Sequence, residues 1–102
     1  MKKTPRTALF VPLKKEHFLA FEDGSKTTEY RPFGPRWNQN TVIPGRAVVL
    51  SLGYGKKNRL MARVASLTIQ KEPPDPVAWR SVYGDRRCLV AAIEMENIKR
   101  QA

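Results

Sequence analysis

Arg46-Ala47-Val48-Val49-Leu50-Ser51-Leu52 is a nearly continuous apolar run, introduced by Pro44-Gly45. Such a run reads as a central strand with both faces covered. Gly53-Tyr54-Gly55-Lys56-Lys57-Asn58 follows as a basic, glycine-bearing loop. Arg59 to Gln70 then reads as a second strand, with Leu60, Ala62, Val64 and, by the same period of two, Ser66 on one face. Two strands joined by a short glycine loop form a hairpin. This hairpin makes the chain β-rich, and the flanking segments decide what is added to it.

Upstream, Thr7 to Val11 reads as a short buried strand stopped by Pro12. Leu13 to Asp23 reads as a helix: Leu13, His17, Phe18 and Phe21 recur at helical spacing, and Gly24 stands where a left-handed terminal residue belongs. Lys14 and Lys15 at its start oppose the helix dipole, and they suit either solvent or a phosphate. Lys26 to Pro32 alternates like a strand. Phe33 to Thr41 is a loop with Arg36-Trp37-Asn38 at its tip. Downstream, Pro73-Pro74-Asp75-Pro76 is a rigid loop. Asp75 caps a short helix running to about Tyr83, with Trp79 expected in the core. Cys88 to Ile98 is the last strand, and Lys99 to Ala102 a tail. The fold class expected is α+β: a small β-barrel of about five to six strands with two short helices.

The chain has 102 residues, the size of one domain, here taken as 1–102. One cysteine, Cys88, and one histidine, His17, exclude a disulfide framework and a Cys/His zinc site. No metal and no cofactor are expected. Cys88 reads as a small core residue, and His17 as a surface or boundary side chain without a sequence partner. Met1-Lys2-Lys3 resembles the start of a signal peptide, but Pro5, Arg6 and Pro12 interrupt any apolar stretch after it. A cytoplasmic protein without a membrane partner is the expectation.

Nineteen Lys and Arg stand against nine Asp and Glu, a formal net charge of +10. No acid occurs between Glu29 and Glu72, a stretch that carries Arg31, Arg36, Arg46, Lys56, Lys57, Arg59, Arg63 and Lys71 with Tyr30, Phe33, Trp37 and Tyr54 among them. Cations interleaved with aromatic rings are the footprint of a single-strand nucleic-acid binder. Arg36, Lys56, Lys57 and Arg59 are the candidate phosphate contacts. Trp37 and Tyr54 are the candidate stacking rings.

In a strand, Glu29 and Arg31 share a face and can form a charge-assisted pair. Lys26 reaches that pair only if the chain is still turning at Gly24. The trio is either the floor of a reactive or anion-binding cleft or a structural ion cluster pinning the helix to the sheet. Its setting, Phe18 to Arg31, resembles the ASCH domain family of the PUA-like superfamily, whose helix is followed by Gly-x-Lys-x-x-Glu-x-Arg. Here these positions are Gly24, Lys26, Glu29 and Arg31. The strand order and the closing Ala92-Ile93-Glu94-Met95-Glu96 also look like that family. Arg36-Trp37-Asn38 and Gly53-Tyr54-Gly55-Lys56 are similar to its small phage and prophage members. The resemblance implies a PUA-like barrel whose cleft contains Lys26, Glu29 and Arg31 beside Tyr30 and Thr28, with RNA, a nucleotide or a nucleoside as partner. Some family members hydrolyse the acetyl amide of N4-acetylcytidine, which would make Lys26 and Glu29 catalytic. Those members resemble Lys-x-x-Thr at this point, whereas this chain has Glu29. Thr28 is one residue short and is expected on the other face. Glu72 is the nearest acid for a third catalytic role.

Overall fold

The computed structural model describes residues 7–84 and 88–101. Met1-Lys2-Lys3, with its leader-like charge, and the terminal Ala102 lie outside them. The described elements are β1 (Leu9–Leu13), α1 (Lys15–Asp23), β2 (Thr28–Pro32), β3 (Ala47–Leu52), β4 (Arg59–Gln70), α2 (Pro76–Tyr83) and β5 (Val90–Arg100). The fold is α+β, with five strands in one curled sheet and two helices.

The β3–β4 hairpin read from the sequence is its centre, with Val48 opposite Ala62 and Leu50 opposite Leu60. The strand order is β1-β3-β4-β5-β2. β1 runs parallel to β3, and every other pairing is antiparallel. Val11, Val48, Leu50, Leu60, Val64, Ala91 and Ile93 fill the core from the sheet. α1 adds Phe18 and Phe21, both buried. Burying each such ring removes enough apolar surface to stabilise by roughly 1.5–3 kcal/mol.

Several details differ from the sequence reading, and β1, β2 and β3 each start one or two residues later than expected. Pro12 does not stop β1, which continues to Leu13. Proline is tolerated there because β1 is an edge strand and its missing N–H interrupts no ladder on the open side. Leu13 therefore belongs to the sheet and α1 starts at Lys15. Ser66 is exposed rather than inward. The pairs Val64–Met95 and Ser66–Glu94 leave one extra residue on β4, and this bulge inverts the alternation, so that Leu67 packs on the core instead. A second bulge, between Met61 and Arg63, coincides with Asn97 at φ 54°. Finally, β5 begins at Val90 and reaches Arg100. Lys99 and Arg100 are thus ladder residues opposite Met61 and Leu60, not a tail. Arg100 also pairs with Glu22 at 3.2 Å and lies over the Phe18 ring.

α2 is capped as expected, Asp75 Oδ1 accepting from the Ala78 N–H at 3.1 Å. It contributes no buried side chain. Trp79, expected in the core, is half-buried and packs on Tyr83 at 4.5 Å. Val77 and Val82 of this two-turn helix are open to solvent. Cys88 is likewise half-buried, just before β5 begins. No helix among the described residues is long and apolar enough to cross a membrane.

Candidate functional site

β1 and β2 are the two edges of the sheet, and its curl brings them face to face. Their backbones share no ladder. A side chain closes the gap: Arg31 on β2 donates Nη2–H to the Pro12 carbonyl on β1 at 2.7 Å. The same guanidinium grips Glu29, with Nε at 3.1 Å and Nη2 at 2.8 Å from Oε2. Lys26 donates to the other oxygen, Oε1, at 3.0 Å. Glu29 is only 7% exposed, so its charge is stabilised by two cations rather than by water.

Lys26 reaches Glu29 by the route expected from Gly24. That glycine takes φ 86°, and the Lys26 N–H returns to the Ala20 carbonyl at 3.0 Å. The turn places Lys26 before the regular strand begins, so the alternation of β2 does not apply to it. The Lys26 ammonium lies 5.4 Å from the centre of the Phe21 ring. It also sits 3.0 Å from His17 Nδ1. His17 is exposed, as expected of a surface side chain, but it has a partner in Lys26 and lines the same pocket. The signal was its spacing: His17 and Phe21 stand four residues apart on one helix face, and Lys26 folds over that face.

These groups floor a cavity of about 500 Å³. Pro12, Leu13, Lys14, Glu16 and Tyr30 continue the floor and rim. Pro73, Pro74, Asp75 and the α2 residues Ala78, Trp79, Ser81, Val82 and Tyr83 form the facing wall. The cavity thus joins a polar floor to an aromatic and aliphatic wall. Its charges balance: Lys14, Lys26 and Arg31 stand against Glu16, Glu29 and Asp75. Glu72 is not among the lining residues; its carbonyl accepts from Gln70 Nε2 outside the cavity.

Of the other anticipated residues, Thr28 does not line the cavity. Strand alternation turns it away from Glu29, and its hydroxyl donates to Glu94 on β5. Trp37 is 7% exposed and belongs to the core, not to an open loop tip. Two guanidiniums lie against its ring, that of Arg31 at 5.1 Å and that of Arg36 at 5.2 Å from the ring centre. The loop folds inward because Asn38 ties itself to the Gly34 and Pro35 carbonyls, while Thr41 bonds the Arg36 carbonyl. Arg36 itself stays exposed.

The hairpin residues lie elsewhere. Tyr54 is 82% exposed and stacks on Phe10 at 6.0 Å. Arg59 lies over the Phe10 ring, 5.5 Å from its centre, and donates Nε–H to the Gly55 carbonyl. Lys56 and Lys57 are exposed. No family model matches the chain, and no curated protein is similar to it.

Proposed function

We propose that this chain is an RNA- or nucleotide-binding protein of the ASCH, PUA-like type, and that its cleft takes the base and sugar of the ligand. The observation that carries this reading is the cavity between the Lys26–Glu29–Arg31 floor and the Trp79–Tyr83 wall. Its volume falls in the range of small-molecule sites, roughly 300–1,000 Å³. Polar groups fixed in a rigid network read hydrogen-bonding edges, and aromatic walls suit a flat base. Balanced charge favours an uncharged body in the cavity, with any phosphate outside at the rim near Lys14. A thermal-shift series with cytidine, uridine, adenosine and their monophosphates tests this. A ligand that binds only the folded state adds about 2.7 kcal/mol at 100 times its Kd. Absence of any shift at millimolar concentrations overturns the reading.

A second reading, an amidohydrolase acting on N4-acetylcytidine, has its own support. Lys26 Nζ lies 3.0 Å from both Glu29 Oε1 and His17 Nδ1, an amine beside two proton acceptors. The carboxylate opposes it, since Glu29 engages the Lys26 nitrogen in an ion pair. Weak or absent hydrolysis is the expected outcome, with a gain in Glu29→Thr. Robust wild-type turnover abolished in Lys26→Ala would make the chain an enzyme.

A further inference from the structure

The ring pair Phe10–Tyr54 and the cations around it stand on the outer surface of the sheet, next to the cleft. Phe10 and Pro12 alternate with the buried Leu9, Val11 and Leu13, so they share the outward face of β1. They are two residues apart, about 7 Å along the strand. Pro12 lines the cleft, and Phe10 carries Tyr54. The ladder extends the same surface sideways: Pro12 is opposite Ser51, and Ser51 is opposite Arg59. Two strand spacings put Arg59 about 10 Å from the cleft edge. The hairpin is also bonded directly to that edge, the Gly53 N–H donating to the Leu13 carbonyl at 3.0 Å. Neither Lys56 nor Lys57 pairs with an acid among the described residues.

We propose that this surface is a platform for single-stranded RNA that leads into the cleft, so that the cleft's ligand is one base of a strand rather than a free nucleoside. The proposal rests on the reading of the cleft as a base-binding site. Tyr54 offers an open ring face pre-set by Phe10, and a base stacks on it without sequence preference. Lys56, Lys57 and Arg59 supply phosphate contacts beside that ring. The separation from ring to cleft is about that between adjacent nucleotides in an extended strand. Charge complementarity selects the partner: the platform is cationic and aromatic with no acid from Tyr30 to Lys71 in the sequence, whereas the cleft is balanced.

The test uses the full chain with two probes, uridine and fluorescently labelled octauridine. Tyr54→Ala should weaken octauridine binding by about 5- to 150-fold and leave the uridine thermal shift unchanged. The double variant Lys56→Ala/Lys57→Ala should lower the log–log salt slope by about 1.4, since each single-strand phosphate contact contributes about 0.7. Octauridine affinity and salt slope equal to wild type in both variants would overturn the platform while uridine binding keeps the cleft reading intact. Failure of uridine and of the other nucleosides to bind the wild type would overturn the cleft reading, and with it the path from platform to cleft, even if the strand itself binds. A strand that binds wild type only as tightly as uridine would also overturn the proposal.

Discussion

The cleft and the β3–β4 hairpin are both rich in cations and rings, yet they use them in opposite ways. In the cleft, Lys26 and Arg31 both pair with one buried carboxylate, and Arg31 also bridges the two sheet edges and lies against Trp37. At the hairpin, Lys56 and Lys57 are solvent-exposed and Tyr54 presents most of its surface to water. Net charge therefore does not locate the binding charge. The cleft's ions are part of what holds the molecule together, and the hairpin's are available to a partner. Substitutions in the first region should register mainly in stability, and those in the second mainly in affinity and salt dependence.

The largest expected effect is at Trp37. It is buried in the core with two guanidiniums against its ring, so Trp37→Ala should lower stability by about 3–5 kcal/mol in urea unfolding. Unchanged stability with weakened RNA binding would return Trp37 to the binding surface and erase the contrast between the regions. Glu29 comes next. Its removal leaves Lys26 and Arg31 facing each other without a counter-ion, and breaking such a pair from one side costs about 3 kcal/mol. Lys26→Ala should cost about 1 kcal/mol, because Arg31 still satisfies the carboxylate through two hydrogen bonds. Equal losses for the two variants would contradict this order.

Trp79→Ala sharpens the comparison from the other side. Trp79 is only half-buried and α2 has no fully buried side chain, so the change should shift stability by less than about 1 kcal/mol while reducing the nucleoside thermal shift. A loss as large as that at Trp37 would mean that α2 is part of the core. The smallest effect concerns acid. The Ser25 hydroxyl, and secondarily its backbone N–H, hold the Asp23 carboxyl below its ordinary value of 3.8. A depressed carboxyl stabilises the fold above the unfolded value, and that contribution disappears as pH falls through the lower, folded one. Asp23→Ala should therefore narrow the stability difference between pH 6 and pH 3 only slightly, as measured by melting temperature.

Much of this was legible in the sequence because it is local. The apolar run Ala47–Leu52, the glycine loop and the alternation of β4 up to Val64 declare a hairpin by themselves. Asp75-Pro76 declares a capped helix. Gly24 declares the turn that brings Lys26 within 3.0 Å of Glu29. What escaped depended on partners distant in the chain. His17 gained significance only when Lys26 folded back onto its helix, nine residues later. Trp37 looked like a loop-tip ring because nothing nearby in sequence indicates that Asn38 and Thr41 draw the loop into the core. Trp79 looked apolar enough for the core, but it is only half-buried, packed on Tyr83 of its own helix.

The sequence by itself determined the strands, the two helices, the acid-free basic stretch and the Gly24–Lys26–Glu29–Arg31 arrangement, since each follows from periodicity, turn chemistry or spacing within a few residues. Only the tertiary structure decided which charges are free. Curling a five-stranded sheet brings β1 and β2 together from its opposite edges, so that Arg31 meets the Pro12 carbonyl and Trp37. The loop of the hairpin, residues 54–57, stays exposed. Whether a cation binds a partner or holds the fold is a matter of which groups lie within a few ångströms of it, and no local pattern in the chain encodes that distance.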